Sequence, residues 1–98
     1  MIEIRSVAGK LLYTHEATSI AGANLAGVNL AYANLAYANL VCVNFKDANL
    51  DYAKLTSANL FGTNLVGATL TGATMGGADL TGANLTGANL FDANVAGA

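Results

Sequence analysis

Large apolar residues recur at every fifth position along most of the chain. The series runs from Ile20 to Val95, and none of its sixteen members is polar. A small residue stands two positions before each of the later apolar residues. Of the sixteen such sites from 23 to 98, thirteen hold Ala, and the others are Val28, Val43 and Thr63. Asn lies between the small and the large residue at eleven of fifteen sites. This regularity predicts a repeat architecture.

A period of five fits neither a helix nor a flat strand. On an α-helix five residues advance the side chain by about 500°, so successive apolar residues would spread around the cylinder. On a strand an odd period would turn every second apolar residue toward water. The chain must therefore bend once per repeat, and bends repeated in one sense stack into a solenoid. Asn and Gly suit such corners because both tolerate left-handed backbone conformations. The period alone leaves triangular and four-sided coils open.

The repeat resembles the pentapeptide-repeat family, whose consensus is Ala, then Asp or Asn, then Leu, then two variable residues. The stretches that match this consensus outright include Ala33-Asn34-Leu35, Ala48-Asn49-Leu50, Ala83-Asn84-Leu85 and Ala88-Asn89-Leu90. The resemblance covers residues 18–98. It implies an all-β fold, a right-handed quadrilateral β-helix with four pentapeptides in each coil and the Leu and Ala side chains inside.

Twenty residues per coil would give about four coils and four interior ladders of apolar side chains. Each ladder takes one residue from every coil, since its members are twenty residues apart. The predicted ladders are Ile20, Leu40, Leu60, Leu80; Leu25, Phe45, Leu65, Leu85; Leu30, Leu50, Leu70, Leu90; and Leu35, Leu55, Met75, Val95.

The first residues follow a different pattern, which predicts a β-hairpin over about residues 2–15. Apolar and charged residues alternate over residues 2–5, a turn signal follows at Val7-Ala8-Gly9-Lys10, and a second apolar run begins at Leu11. We expect residues 1–17 to form a cap that covers the first coil and residues 18–98 to form the solenoid. The resemblance agrees, because many family members begin with a similar segment.

The other end of the repeat shows no cap signal before the sequence stops at Ala98. The last coil is expected to turn Leu80, Leu85, Leu90 and Val95 outward along the solenoid axis. An open sheet edge above an apolar layer invites pairing. The expected occupant is a second copy in a homodimer, stacked end to end with two-fold symmetry, or another solenoid segment encoded separately. The alternative is a monomer with frayed terminal residues.

Charge and hydropathy exclude several classes of partner. The net charge is −2 and only 10% of residues are charged, so there is no basic stripe for direct nucleic-acid binding. The mean hydropathy of +0.46 is high. However, no window of about 18 residues is free of Asn, Asp, Lys or Thr, so no membrane span is expected. Residues 1–19 lack the uninterrupted apolar stretch of a signal peptide, and a cytoplasmic location is the default expectation.

Candidate chemistry is sparse, so the chain is not expected to be an enzyme, to bind a metal or to carry a cofactor. The single histidine, His15, has only Glu16 beside it, which is too few partners for a metal or catalytic site. The single cysteine, Cys42, is expected to be an exposed, inert thiol without a resolving partner.

Three tyrosines form the candidate surface patch. Tyr32 and Tyr52 are twenty residues apart and are expected to stack at one corner, with Tyr37 at the next corner. Such an aromatic patch suits a protein contact. The alternative is lateral packing of the rings on a surface that has few charges.

These features together predict a non-catalytic structural or protein-interaction module of unknown partner. The resemblance also implies an alternative, because some family members resemble duplex DNA in size and negative charge and bind type II topoisomerases. Those proteins are longer and strongly acidic, whereas this chain has about four coils and a net charge of only −2.

Overall fold

A computed structural model describes residues 2–98, which form a hairpin followed by a continuous coil. Strand β1 spans Ile2–Arg5 and strand β2 spans Leu11–His15. The two strands pair antiparallel, with Ile4 opposite Tyr13 and a register shift between Ile4 and Arg5. The rest of the described chain forms short parallel bridges separated by tight turns.

The bridges join residues twenty positions apart, which fixes the size of one coil. Asn24 pairs with Asn44, and Asn44 pairs in turn with Asn64. The backbone N–H of Asn44 donates to the carbonyl of Ala23 at 2.9 Å, and the N–H of Leu25 donates to the carbonyl of Asn44 at 2.8 Å. Four five-residue sides therefore make each coil. The predicted right-handed quadrilateral β-helix is confirmed, and the triangular alternative is excluded.

Every corner is the same hydrogen-bonded turn. The small residue donates its N–H to the carbonyl of the apolar residue three positions earlier, as Ala23 does to Ile20 at 2.9 Å. The third residue of each turn has a positive φ, which is typical of a type II turn and favours glycine. Glycine occupies most of these sites. The exceptions are Tyr32, Tyr37, Cys42, Asp47, Tyr52, Ser57 and Asp92.

The asparagine before each corner satisfies one more backbone donor. Its side-chain oxygen accepts the N–H of the residue two positions later, as Asn24 Oδ1 does from Ala26 at 3.1 Å. Thr69 takes the place of asparagine in one repeat. There Asp51, in the preceding coil, accepts the N–H of Thr71 at 2.9 Å instead. A neighbouring coil thus supplies what the local sequence lacks.

The predicted apolar ladders form the core. From Leu40 to Met75 every fifth side chain has no exposed surface, and most of the Ala sites in the same coils are buried as well. Thr63 is buried at one of the small-residue sites, where its hydroxyl donates to the carbonyl of Leu60 at 2.9 Å. Within residues 2–98 no buried side-chain nitrogen or oxygen lacks a hydrogen bond. A polar side chain is therefore tolerated inside because its donor is used locally.

The hairpin covers the first coil, so the predicted cap is confirmed. The carbonyl of Arg5 accepts the N–H of Asn34 at 2.7 Å, and the N–H of Val7 donates to the carbonyl of Tyr32 at 3.0 Å. These bonds add the hairpin antiparallel to one side of the first coil. Ile4 packs into the core with 3% of its surface exposed, and Leu25 and other first-coil side chains are buried beneath the hairpin.

Alanine at Gly72 and Gly77 will separate backbone strain from side-chain collision. Both glycines have positive φ, +67° and +70°, so each substitution should cost about 1 kcal/mol of folding free energy. At Gly72 the new Cβ would also lie 2.6 Å from Cε1 of Tyr52. The ring must then leave its stack on Tyr32, which adds about 0.5–1.5 kcal/mol. In urea unfolding, the Gly72→Ala variant should therefore be less stable than the Gly77→Ala variant.

The Tyr52→Ala background is the control for this comparison. Without the ring, the difference between the two glycine substitutions should disappear. A difference that persists in this background would show that collision with Tyr52 is not its cause.

Asp79 should make a small, pH-dependent contribution to stability. Hydrogen bonds from the side chain and the backbone N–H of Thr81 hold the pKa of the Asp79 carboxyl below its usual value of 3.8. A lowered folded-state pKa stabilises the folded protein above pH 3.8, and this contribution is lost as the pH falls through the folded pKa. Asp79→Asn retains an oxygen acceptor for Thr81 but does not titrate.

The urea midpoint of the wild type should therefore fall relative to that of the Asp79→Asn variant between about pH 6 and pH 2.5. The effect should be slight, because Asp79 is exposed to solvent and water screens the charge. A difference between the two proteins that stays constant over this range would contradict the assignment.

Candidate interaction surfaces

The last coil of the structure, residues 78–97, exposes part of the apolar layer that earlier coils bury. In the third ladder Leu30, Leu50 and Leu70 are fully buried, but 36% of Leu90 is exposed. Val95, in the fourth ladder, is 46% exposed. The prediction that four side chains face outward is thus met in different degrees, because Leu80 and Leu85 are half-buried against the core.

The backbone edge of the last coil has a definite polarity. On each side of a coil, two N–H groups and one C=O point toward the next coil. Leu25, for example, donates to Asn44, Gly22 donates to Val41, and Ala23 accepts from Asn44. No described residue pairs the equivalent groups of the last coil. They are the N–H groups of Leu80, Gly82, Leu85, Gly87, Leu90, Asp92, Val95 and Gly97, and the carbonyls of Ala78, Ala83, Ala88 and Ala93.

The opposite edge, on the first coil, carries the complementary set of groups. Each side there presents one N–H and two C=O groups. The second coil uses the same groups to contact the first: the N–H and C=O of Asn44 and the C=O of Lys46. The hairpin covers one of these sides through Arg5 and Val7. The two edges of the solenoid are therefore chemically different, one rich in donors and the other rich in acceptors.

The tyrosines form two distinct surface features. The rings of Tyr32 and Tyr52 stack with centroids 5.2 Å apart and planes inclined by 14°, as the twenty-residue spacing predicts. The Tyr52 ring also lies over Gly72 of the next coil. Tyr37 is 77% exposed on a different side of the coil. The structure therefore brings two of the three predicted patch residues into contact and leaves Tyr37 apart from them.

The three tyrosines also lie at corners where the backbone conformation is strained. Tyr32, Tyr37 and Tyr52 have φ values of 65°, 63° and 59°, a region that bulky residues rarely adopt. From Tyr32 to Ser57 six consecutive corners carry a side chain where glycine would be unstrained. Sequence reasoning missed this feature. The signal was available, because the second variable position is the one that is often Gly.

The described residues offer little for covalent chemistry. His15 stacks on Tyr13 with ring centroids 6.5 Å apart, and Cys42 is exposed as a free thiol. Residues 2–98 contain no group of three or more His, Cys, Asp or Glu side chains that could hold a metal ion.

The structure describes no helix of sufficient length and apolar character to cross a membrane.

Comparison with known proteins identifies the repeat. A family model described as pentapeptide repeats matches residues 16–47, 29–65, 38–77 and 63–98, with eight copies. A comparison with curated proteins gives no match. Two similar crystal structures cover most of the chain.

The first of these structures is Rfr23, a pentapeptide repeat protein from the cyanobacterium Cyanothece 51142. It is 38% identical over 72% of this chain and 48% of its own, with a TM-score of 0.72. The second is a pentapeptide repeat protein from the Arabidopsis thaliana thylakoid lumen. It is 36% identical over 76% of this chain and 52% of its own, with a TM-score of 0.75.

This chain thus spans about half the length of the structures that it matches. The family matches nevertheless reach from the end of the hairpin to Ala98 and coincide with the coils seen in the structure. The chain belongs to the pentapeptide repeat family.

Proposed function

We propose that the chain is a non-catalytic protein-interaction module and that its last coil is the principal contact surface. The observation that carries the proposal is the contrast between the two ends of the core. Leu25 and Leu30 in the first coil are fully buried, whereas Leu90 and Val95 in the last coil are exposed. Exposed apolar side chains beside an unpaired sheet edge favour association.

The polarity of the edge favours one kind of partner. A second copy stacked through the same edge would bring two N–H groups for every C=O, as the first copy does. One N–H in two would then face another donor instead of an acceptor, which is costly for a buried backbone group. An acceptor-rich solenoid edge would pair every group. We therefore propose that the last coil stacks on another solenoid segment in preference to forming a two-fold homodimer.

Tyr37 supports a second, lateral contact. Its ring has no stacking partner among the described aromatic residues, yet its backbone holds a strained φ of 63°. Glycine at this position would relieve the strain, and residues that retain such strain cluster at functional sites. Lateral packing accounts for Tyr32 and Tyr52, which stack on each other, but not for Tyr37.

Affinity capture from a lysate of the source organism tests the proposed function. The Leu90→Lys, Val95→Lys variant should lose the captured solenoid partner, because two charges would be buried in the contact. A Leu11→Lys, Phe61→Lys variant is the matched control. It adds the same charge at apolar residues with similar exposure, 44% and 47%, that lie outside the last coil. The control should retain the partner.

Light scattering on the purified chain separates the alternatives. Under the proposal the wild type has the mass of a 9.9 kDa monomer when its partner is absent. A doubled mass that the Leu90→Lys, Val95→Lys variant abolishes would establish the homodimer and overturn the proposed preference. Capture that is the same for both variants would show that the last coil is not the contact surface.

A further inference from the structure

A cleft of about 400 Å³ lies between the hairpin and the first coil. We call it the cap cleft. The hairpin contributes Val7, Lys10 and Leu12 to its lining, and the first coil contributes Asn29, Ala31 and Tyr32. The cap cleft is at the opposite end of the solenoid from the last coil, so it does not depend on the function proposed above.

One side of the acceptor-rich edge is open inside the cap cleft. In the next coil, Asn49 donates its N–H to Val28 and accepts from Leu30, and the carbonyl of Asp51 accepts from Tyr32. The equivalent groups in the first coil are the N–H and C=O of Asn29 and the C=O of Ala31. No residue in the described range 2–98 bonds to them. The cleft therefore presents one donor and two acceptors spaced along an extended backbone.

The hairpin shows what such an edge can bind. On the adjacent side of the same coil, Arg5 and Val7 bond to Asn34 and Tyr32 as an antiparallel strand, with Ser6 opposite Ala33. The hairpin leaves the edge at Val7, where the cap cleft begins. Since the hairpin blocks the neighbouring side, a complete coil cannot stack there. A single extended segment is the occupant that fits the remaining space.

The side chains around the cleft add a preference for charge. Lys10 is exposed and makes no salt bridge; the one ion pair among residues 2–98 joins Arg5 to Glu3 at 3.1 Å. Val7 and Tyr32 are exposed by 59% and 54%, and they supply apolar surface beside that cation. A peptide that alternates apolar and acidic side chains would match both features.

We propose that the cap cleft binds an extended acidic segment of a partner protein by β-strand addition. The backbone of the segment pairs with Asn29 and Ala31, and a carboxylate of the segment lies beside Lys10. Strand addition obtains affinity from main-chain hydrogen bonds and specificity from the alternating side chains. A compact ligand would not use a donor and two acceptors that are spread along a strand.

Titration of the ¹⁵N-labelled chain with matched peptides tests the proposal. The probe is an acetylated, amidated nonapeptide that alternates valine and glutamate, and the comparison peptides carry glutamine or lysine in place of glutamate. The glutamate peptide should shift the amide signals of Val7, Lys10, Asn29 and Ala31. It should also slow hydrogen exchange at Asn29. The glutamine peptide should bind about threefold more weakly, as expected for loss of an exposed ion pair.

Two controls assign the contacts. Lys10→Glu should reverse the preference, so that the lysine peptide binds better, whereas Lys46→Glu makes the same charge change on an exposed residue of another coil and should alter nothing. Two further glutamate peptides carry N-methyl groups on alternate residues, one on the odd positions and one on the even positions. One of the two should bind about tenfold more weakly, because methylation removes the N–H donors that pair with the edge.

The possible results are distinct from those that test the last coil. The proposal is overturned if the glutamate peptide leaves the Asn29 and Ala31 signals unchanged at millimolar concentration. Equal affinity for the glutamate and lysine peptides would overturn the role of Lys10. Full affinity of both N-methylated peptides would overturn strand addition. The affinity capture experiment would be unaffected by any of these results.

Discussion

The fold depends on one backbone conformation, the positive φ at the third residue of every corner. This residue turns the chain onto the next side of the coil, and the next small residue then donates to the carbonyl of the apolar residue before the corner, as Val28 does to Leu25. With the corner fixed, the following apolar side chain must point inward. Five residues per side follow, and pairing between coils then sets twenty residues per coil and the ladders that fill the interior. Hydrophobic burial stabilises the coil, but the turn sets its shape.

The sequence predicts the features that recur in every coil and the local hairpin, but not the features that depend on pairing between distant segments. The five-residue period predicts that Leu50 and Leu70 are inside, because only the local turn and the direction of the side chain matter there. It does not give the number of sides, which depends on pairing between coils and came from the resemblance. It also missed the cap cleft, since that site depends on the register that places Ser6 opposite Ala33. Long-range registers of this kind have no local signal.

Backbone strain is not distributed evenly over the corners of the solenoid. At corners with glycine in the third position the positive φ causes no strain. The six corners from Tyr32 to Ser57 instead carry side chains, which disfavour this backbone conformation. Two of the six are partly compensated, since Tyr32 and Tyr52 stack. The remainder carry a cost that the core must offset. The first two coils are therefore the part of the solenoid in which side chains occupy consecutive corners where glycine would be unstrained.

The hairpin also has a consequence for assembly. A molecule that carries a donor-rich edge and an acceptor-rich edge meets the requirement for open-ended, head-to-tail polymerisation, because each unit can accept the next without limit. Arg5 and Val7 interrupt that sequence by occupying one side of the acceptor edge with a strand of opposite direction. A short antiparallel segment thus makes one side of the acceptor-rich edge unavailable to such a stack, and leaves the neighbouring side accessible.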